Sequence, residues 1–322
     1  MPSVRALQLP APTAVREARR QIDDLIAHIP PVRLATGPKG AELFLQLENL
    51  QPIGSYKLRG AGYSMRCIDP SRLRDGVVTV SAGNLGQGVA WMAQRLGINC
   101  KVLVPTHAPE AKVSALQRLG ADVVRISQDY WWSAMRSGQL EGETGYFMHG
   151  LFEANIMTGH GTIGVDLLDA IPNLDAVIVP FGGGAMLCGI AAVLKAHNPR
   201  IRIYACEVET GAPLKAALQH GSPVEIAYQP SFVDGIGSRS VFPEMWPMLR
   251  EVVEDSIVVT LDQVRSAIRT LAFDHHVIAE GAGAAALAAA MTGKAGEGRI
   301  ACVISGGHLD PGVLADILCN RH

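Results

Sequence analysis

The sequence predicts an α/β protein whose parallel or mostly parallel sheets are covered by helices on both faces. Short β-branched runs alternate with stretches that carry apolar residues at helical spacing, which is typical of parallel sheets. The chain also has 34 glycines, and several of them follow apolar runs, where backbone amides can approach a ligand. Finally, 48% of the 322 residues are hydrophobic and 18% are charged, which excludes disorder and allows one large or two medium domains.

The β-branched runs are the predicted strands. They are Leu43–Leu47, Val77–Val80, Lys101–Val104, Asp122–Ile126, Val177–Pro180, Ile201–Cys206, Ser256–Val259 and Ile300–Ile304. Helical spacing of apolar residues predicts helices at Leu85–Leu96, Pro109–Leu119, Met186–His197 and Leu261–Phe273. Pro109 suits a first helical turn, whereas Gly97 and Gly120 suit C-terminal caps. The alanine-rich stretch Gly281–Met291 predicts a closely packed helix.

Charge, cysteine content and hydropathy narrow the class of protein. The formal net charge is −2, so we expect neither a nucleic-acid nor a membrane surface. The six cysteines form no CxxC pair, which favours reduced thiols over disulfides or zinc. Met1–Val15 lacks the apolar run of a secretory signal. The stretch Ala176–Leu194 is uncharged and long enough to span a membrane, but Pro180 and Gly182–Gly184 would interrupt a helix there. We therefore expect a soluble cytoplasmic enzyme that acts on a small molecule.

The first segment with candidate chemistry runs from Leu47 to Ala61 and reads LENLQPIGSYKLRGA. Lys57 follows its Pro/Gly turn and precedes a predicted helix, in a mostly uncharged neighbourhood. Partial desolvation in such a place makes a lysine amine a nucleophile for Schiff-base formation. The alternative is a surface lysine at the start of a helix.

The second segment, Ser81–Gly88, reads SAGNLGQG and lies between a predicted strand and a predicted helix. The free amides of a helix N-terminus can hold a carboxylate or a phosphate. The alternative is an ordinary turn capped by Ser81 or Asn84.

Two glycine-rich segments also follow predicted strands. Pro180–Met186 reads PFGGGAM, which either cradles a phosphate or forms a plain tight turn. It is not the dinucleotide fingerprint, because Leu187 stands at the third glycine position. Ile304–His308 reads ISGGH, in which Ser305 either offers a hydroxyl to a ligand or belongs to a bare turn.

In their order and spacing, the four segments resemble the fold-type-II pyridoxal-phosphate enzymes, and among these the serine/threonine dehydratases, over nearly the whole chain. The matching patterns are LEN…GSxKxRGA, SxGN, a glycine-rich phosphate loop and SGG. The resemblance implies a tryptophan-synthase-β-like architecture of two α/β domains with the cofactor between them. It implies a large cofactor-binding domain at 1–75 and 149–322, and a small substrate-carboxylate domain at 76–148.

The same resemblance implies a role for each matching residue. Lys57 would form the Schiff base with pyridoxal 5'-phosphate and remove the α-proton, Asn84 would bind the ring hydroxyl, and Ser305 would face the pyridine nitrogen. The cofactor phosphate would lie against Gly182, Gly183, Gly184, Ala185 and Met186. The substrate carboxylate would lie against Ser81, Ala82 and Gly83. The implied reaction removes water from a threonine- or serine-like β-hydroxy amino acid and gives a 2-oxo acid and ammonia.

Some positions depart from the family pattern. Ala82 stands where family racemases place a serine as the second acid–base residue, which disfavours racemisation. Ala185 replaces a fourth glycine of the phosphate loop, and His308 stands where asparagine is commoner. Glu207 matches a family cation ligand, but Pro213 occupies the position of a second carboxylate, so no metal is predicted.

Other residues bear on the substrate and on the cofactor ring. Ser231–Ser240 resembles a family stretch that lies against the cofactor, with Gly237 and Ser238 in place of alanine and valine. These small residues predict a pocket for β-substituents larger or more polar than that of threonine, and the guanidinium of Arg239 could bind a polar substituent. The alternative is that Arg239 points to solvent. Glu280 either supports the site near the ring or caps a helix. The aromatic residues that could form an apolar wall are Tyr130, Trp131 and Trp132.

Other functions on the same scaffold stay open. They are an amino-acid racemase, against which Ala82 counts, a β-replacement synthase, and an inactive binding protein, against which Lys57 counts. The resemblance also implies a homodimer or homotetramer. Because the chain stops soon after Ser305, we expect no C-terminal regulatory domain and a catabolic role.

Overall fold

The computed structural model describes residues 7–321, so the prediction about Met1–Val15 falls partly outside the described residues. In chain order the helices and strands are α1 (Pro12–Gln21), β1 (Val32–Arg33), β2 (Ala41–Gln46), α2 (Lys57–Cys67), β3 (Val77–Val80), α3 (Asn84–Leu96), β4 (Cys100–Pro105), α4 (Glu110–Arg118), β5 (Asp122–Ile126), α5 (Gln128–Ser137), β6 (Tyr146–Phe147), α6 (Ala154–Ala170), β7 (Ala176–Pro180), α7 (Ala185–His197), β8 (Arg202–Val208), α8 (Pro213–His220), α9 (Trp246–Val252), β9 (Asp255–Val259), α10 (Leu261–Asp274), α11 (Gly281–Met291), β10 (Gly298–Val303) and α12 (Pro311–Leu318). Short 3-10 helices lie at Glu48–Leu50 and Pro70–Leu73.

The larger sheet has six strands in the order β1-β2-β10-β7-β8-β9. Strand β1 pairs antiparallel with β2 at one edge, and all the other pairs are parallel. In the middle of the sheet, Ile300 of β10 aligns with Leu43 on one side and with Ala176 on the other. The parallel strands therefore all end at the same edge, which is where a ligand site is expected in such sheets.

The smaller sheet has four parallel strands in the order β5-β4-β3-β6. Its strands all come from the chain between Val77 and Phe147, whereas every strand of the larger sheet lies outside that range. The core under this sheet also contains residues that precede it in the chain, such as Ile22, which follows α1, and Leu58 of α2. The helix that carries Lys57 therefore belongs to the hydrophobic core of the smaller sheet.

Alternate residues of the larger sheet face two separate cores, as its position between two helical layers requires. Ile300 and Cys302 of β10 pack in the same core as the alanine-rich helix α11. Ala301 and Val303 of the same strand pack with α6 and α7 on the other face. Helices α6 and α7 approach closely, because a Cβ at Gly189 would lie 2.3 Å from the carbonyl oxygen of Met157.

The structure confirms the α/β fold class and the predicted strands, whose ends shift by two residues or fewer. Gly97 and Gly120 have φ angles of +66° and +79°, as expected of C-terminal caps. Pro109 is the residue just before α4 rather than part of its first turn. Gly281–Met291 is a helix with the predicted bounds, whereas the 17-residue helix α6 was not predicted.

The six cysteines carry free thiols, of which Cys67 and Cys319 are exposed. The uncharged stretch from Ala176 to Leu194 is strand β7, a glycine loop and helix α7, as the sequence predicts. Among residues 7–321 we find no helix that is long and apolar enough to span a bilayer.

Candidate active site

Three loops meet at the edge of the larger sheet where the parallel strands end. They follow β2, β10 and β7, which are neighbours in the sheet, and they carry Lys57, Ser305 and Gly182–Gly184 respectively. Because parallel strands present their carboxyl ends at one edge, strand order brings these segments together. Three of the predicted cofactor-binding segments therefore share one edge.

Backbone hydrogen bonds join the loops of Lys57 and Ser305. The amide of Tyr56 donates to the carbonyl of Ser305 at 3.0 Å, and the amide of Gly307 donates to the carbonyl of Gly54 at 3.0 Å. Lys57 is the first residue of α2 and follows Tyr56 directly, and Ser305 is buried. The lysine thus begins its helix beside the predicted partner of the pyridine nitrogen.

Helix α2 is anchored by a buried ion pair two residues after Lys57. Arg59 donates to both carboxylate oxygens of Glu48, at 2.7 and 2.8 Å, and its Nη1 lies 2.7 Å from Asp166. Burial lowers the pKa of Arg59, but the charges of Glu48 and Asp166 outweigh burial and raise it. Breaking such a buried pair by removing one partner costs about 3–5 kcal/mol. The pair therefore holds the start of α2, and with it Lys57, in a fixed direction.

A buried histidine, which the sequence analysis did not identify, lies behind Lys57. The lysine Nζ is 4.7 Å from the ring centroid of Tyr56, and the His160 ring meets the same tyrosine edge-on at 4.7 Å. Burial, together with the charges of Lys57 and Arg59, holds the pKa of His160 well below its usual value. His160 is therefore neutral, and neither ring nitrogen has a hydrogen-bond partner among the described residues.

The glycine loop after β7 has the shape of an anion cradle. Gly184 has a φ angle of +95°, which favours glycine, and a Cβ at Gly183 would lie 2.5 Å from the side chain of Leu151. Helix α7 begins at Ala185, so the amides of its first turn have no partner within the helix. Helical backbone also gives Ala185 a negative φ, so its amide can donate although glycine is replaced. Amides at a helix N-terminus suit a phosphate group.

The fourth segment faces the first three from the end of β3 in the smaller sheet. Gly83 precedes α3, and its amide donates to the hydroxyl of Ser81 at 3.3 Å. Asn84 opens the helix, and its Nδ2 donates to Oε1 of Glu280 at 2.9 Å. Its Oδ1 lies 2.8 Å from Nδ1 of His308. The structure therefore brings Asn84 to the loop of Ser305, and it leaves Ser81, Ala82 and Gly83 partly exposed at the same opening.

Glu280 is the acidic group of this cluster. Burial and the nearby charge of Asp234 raise the pKa of Glu280 to about 7, against the opposing hydrogen bonds from Asn84 and from the amide of His308. The residue is 6% exposed, and its hydrogen-bond donors among the described residues are Asn84 and His308 rather than an arginine or a lysine. Glu280 also precedes α11, but its side chain accepts from Asn84 and His308 instead of capping that helix.

The loop that contains Arg239 lies at the same opening. A Cβ at Gly235 would lie 3.2 Å from Oε1 of Glu280, and Asp234 forms an ion pair with Lys112 of α4. Arg239 is exposed. The hydrogen bond that the structure shows for it involves its backbone carbonyl, which accepts from the amide of Ile226 at 2.8 Å.

Two neighbouring features of that loop bear on the predicted pocket. Gly237 has a φ angle of +91°, so the backbone itself favours glycine there, whatever the substrate. The aromatic residues Tyr130 and Trp131 pack on the smaller sheet, and Trp132 is 46% exposed.

Glu207 has a structural use in this chain. It is fully buried and accepts hydrogen bonds from the amides of Leu214 and Lys215 at 2.8 Å and from the hydroxyl of Ser256 at 2.6 Å. The carboxylate therefore caps helix α8 from a neighbouring strand. Within residues 7–321, no group of three or more histidine, cysteine, aspartate or glutamate side chains is arranged to hold a metal ion.

Among curated proteins, the chain is similar to threonine ammonia-lyases and threonine dehydratases. The chain is 31% identical over 283 residues to an L-threonine ammonia-lyase of Thermotoga maritima, which covers 87% of this chain and 70% of the relative. It is 31% identical over 305 residues to a catabolic L-threonine dehydratase of Staphylococcus aureus, at 92% of this chain and 88% of the relative.

Solved structures agree with this fold. The serine racemase of Dictyostelium discoideum superposes with a TM-score of 0.85 at 29% identity, covering 94% of this chain and 100% of that one. A processed form of threonine deaminase isoform 2 from Solanum lycopersicum superposes with a TM-score of 0.81 at 26% identity, covering 98% of this chain and 93% of that one.

The family described as "Pyridoxal-phosphate dependent enzyme" matches residues 22–306. That range contains all ten strands of the described residues, three of the four segments that meet at the opening, and Ser305 of the fourth. Each part of that cofactor has a suitable group at the opening. The amine of Lys57 suits the aldehyde, the amides after β7 suit the phosphate, and the polar groups of Asn84 and Ser305 suit the ring. The chain therefore belongs to the pyridoxal-phosphate dependent enzymes, and pyridoxal phosphate is its cofactor.

Proposed function

We propose that this chain is an ammonia-lyase that removes water from a threonine- or serine-like β-hydroxy amino acid and releases a 2-oxo acid and ammonia. The main supporting observation is that Lys57, Ser305 and the glycine loop lie together at one edge of the larger sheet, opposite Asn84. Relatives named as threonine ammonia-lyase and threonine dehydratase, at 31% identity, support the same reaction class.

In this proposal each predicted residue holds one part of the cofactor or substrate. Lys57 binds the cofactor aldehyde, Asn84 binds the ring hydroxyl, and Ser305 faces the ring nitrogen. The phosphate is held by Gly182, Gly183, Gly184, Ala185 and Met186. The amides at the start of α3, from Ser81, Ala82 and Gly83 onwards, hold the substrate carboxylate.

The proton transfers are assigned to Lys57. When bound, pyridoxal phosphate supplies a ring that withdraws electrons from the substrate α-carbon. The Lys57 amine removes the α-proton and, as an ammonium, returns a proton to the departing β-hydroxyl. Ser305 is a neutral hydroxyl and would give the ring nitrogen no charged partner, which would favour loss of the β-hydroxyl. Hydrolysis of the released imine then gives the 2-oxo acid and ammonia.

The test is release of 2-oxo acid and ammonia from a panel of β-hydroxy amino acids by the purified holoenzyme. We expect equal amounts of both products, and we expect Lys57→Ala to lose several orders of magnitude in kcat together with the Schiff-base absorbance. Lys39→Ala is the matched control, because Lys39 is exposed and precedes β2. Retained turnover in Lys57→Ala, or a reducible adduct on another lysine, would exclude this mechanism.

Racemisation is the second candidate, because serine racemases are among the most similar solved structures. Ala82 has no hydroxyl with which to return a proton to the opposite face of the α-carbon. This absence favours elimination over racemisation.

We propose further that the pocket accepts β-substituents larger or more polar than that of threonine, with Arg239 at a distal carboxylate. Arg239 is exposed and lies in the loop that reaches Glu280. The test compares kcat/KM for L-threonine, L-serine, 3-hydroxyaspartate and 3-phenylserine in the wild type and in Arg239→Ala. We expect a selective loss on 3-hydroxyaspartate of about 1.5–3 kcal/mol in transition-state binding. A preference for threonine and serine in both proteins would contradict the enlarged pocket.

The remaining proposals concern the whole protein. We propose a homodimer or homotetramer in the cytoplasm, and a small substrate-carboxylate domain at residues 76–148. Sedimentation of the purified holoenzyme tests the oligomeric state. Limited proteolysis near residues 76 and 148 tests the domain boundary.

A further inference from the structure

The side chain of His308 lies where three parts of the site meet. Its ring packs on the turn before Lys57, where a Cβ at Gly54 would lie 2.9 Å from the histidine Cε1. Its Nδ1 lies 2.8 Å from Oδ1 of Asn84, and its backbone amide donates to Oε2 of Glu280 at 3.1 Å. One residue therefore contacts the lysine loop, the start of α3 and the buried carboxylate.

The geometry fixes which ring nitrogen of His308 carries hydrogen. Burial and the charge of Lys112 lower the pKa of His308, so the ring is neutral at neutral pH and carries a single N–H. The carbonyl oxygen of a carboxamide only accepts hydrogen bonds. In the orientation of the Asn84 carboxamide that the structure shows, Nδ1 is therefore the protonated nitrogen, and it donates to Asn84.

The carboxamide of Asn84 is consequently held at both ends. His308 donates to its oxygen, and Glu280 accepts one hydrogen of its nitrogen. While His308 carries its hydrogen on Nδ1 and Glu280 is ionised, rotating the amide by half a turn would set its NH2 group against the Nδ1–H and its oxygen against the carboxylate, so both contacts would be lost. The second hydrogen on Nδ2 is the donor left for a ligand.

We propose that His308 is a positioning residue that fixes the orientation of the Asn84 carboxamide and thereby presents an Nδ2–H to the hydroxyl of the cofactor ring. The inference rests on the proposed role of Asn84. It goes beyond that role because it assigns the control of Asn84 to His308, which has no part in the proposed function.

The alternative is that His308 only fills space above Gly54. Two substitutions separate these roles. Phenylalanine keeps a flat ring over Gly54 but cannot donate, whereas asparagine loses the ring but can donate through its own amide. A packing role predicts that His308→Phe resembles the wild type, and a positioning role predicts that His308→Asn does.

The first experiment measures cofactor affinity by fluorescence titration and the pKa of the lysine–cofactor Schiff base by absorbance, with the thermal stability of the cofactor-free protein as a control. We expect His308→Phe to weaken cofactor binding by about 3–10-fold, as loss of one neutral hydrogen bond would, and to shift the Schiff-base pKa. His308→Asn should stay within about twofold of the wild type.

A double-mutant cycle with Asn84→Ala identifies the route of the effect. If His308 acts through Asn84, His308→Phe will change neither quantity in the Asn84→Ala background. Equal shifts in both backgrounds, or no shift in His308→Phe alone, would overturn the inference. If Asn84→Ala leaves the cofactor affinity and the Schiff-base pKa unchanged, the proposed role of Asn84 is wrong and the inference about His308 is wrong with it. Product release by the wild type tests the lyase proposal separately.

The second experiment needs no cofactor, and its result is measured on the wild-type protein. NMR of the histidine-labelled wild-type protein, with the His308 signals assigned by their absence from His308→Asn, reports which ring nitrogen is protonated. We expect the Nδ1–H form of a neutral ring. The Nε2–H form would overturn the inference even if His308→Phe fails to fold.

Discussion

Asn84 shows at the residue scale what the sequence could and could not predict. Its position after a strand and before a helix, in an SxGN pattern, was enough to select it. Its partners Glu280 and His308 lie 196 and 224 positions away in the chain, so no local pattern could pair them. The only signals were the resemblance of the Glu280 segment and the unusual histidine at 308. His160 carried no signal of either kind.

At the same scale, Ala82 predicts elimination without racemisation. With L-serine as substrate, we expect pyruvate and no D-serine, because no hydroxyl at position 82 can return the α-proton from the opposite face. Chiral chromatography of the reaction checks this. D-Serine formed at a rate comparable with that of pyruvate would show that another side chain supplies the proton.

The variant Ala82→Ser extends this prediction. We expect it to gain at most a trace of racemase activity, since an unsupported hydroxyl is rarely held in a productive orientation. Its pyruvate formation should persist, because Lys57 is untouched. Loss of pyruvate formation would mean that Ala82 contributes more than its backbone to the site.

Glu280 makes the stability of the cofactor-free protein depend on pH. Its pKa is about 7 when folded, whereas an exposed glutamate titrates at about 4.3. Between these values the folded state holds a proton that the unfolded state has lost, so this contribution to stability is complete below about pH 4 and declines as pH rises to about 7. A single group can contribute a slope of up to about 1.4 kcal/mol per pH unit.

Urea unfolding of the wild type and of Glu280→Gln between pH 5 and pH 8 checks this contribution. The glutamine variant keeps the size of the side chain but cannot titrate, so we expect its free energy of unfolding to fall less steeply up to pH 7. Above pH 7 the two slopes should converge. Parallel curves throughout the range would show that Glu280 titrates at its ordinary value.

At the scale of elements, the strands were predictable because each is a short buried run between turn signals. Helix α6 was missed because it is buried on nearly all sides and carries glycines, threonines and a histidine where an amphipathic helix would alternate polar and apolar faces. Those small residues serve its packing. A Cβ at Gly161 would lie 2.6 Å from the carbonyl oxygen of Gly189 on α7.

The close approach of α6 and α7 predicts a large penalty for a single methyl group. In Gly189→Ala the new Cβ would lie 2.3 Å from backbone of the facing helix, so the helices must move apart. We expect a loss of about 1–3 kcal/mol in the free energy of unfolding, although alanine is the better helix former.

Gly312→Ala is the matched control, because Gly312 is a helical glycine that is exposed and whose nearest atom belongs to a side chain. Urea denaturation should show Gly312→Ala at or slightly above wild-type stability. If both variants are equally stable, the contact between α6 and α7 is looser than the structure shows.

At the scale of the whole molecule, the family resemblance implied two domains, but no sequence pattern indicated which residues outside 76–148 join the core of the smaller sheet. Residues of α1 and α2 pack under the smaller sheet, although they precede it in the chain and α2 carries Lys57. Across the opening, α3 and α4 make polar contacts with loops of the larger sheet, namely Asn84 with Glu280 and His308, and Lys112 with Asp234. The Lys112–Asp234 pair is partly exposed, and such pairs contribute about 0–1 kcal/mol.

A cofactor bound at this opening should therefore contribute much of the coupling between the two sheets. Pyridoxal phosphate binds only the folded protein, so its removal lowers the free energy of unfolding. The loss depends on the free cofactor concentration and is about 4 kcal/mol at 1,000 times the dissociation constant. We expect the cofactor-free protein to unfold at a lower temperature and over a broader transition, because the sheets have largely separate cores. Calorimetry of the holoenzyme, of the cofactor-free form and of the reconstituted protein measures both effects, with Lys57→Ala plus cofactor as the control that lacks the covalent link. Identical transitions with and without cofactor would mean that the protein contacts alone couple the two sheets.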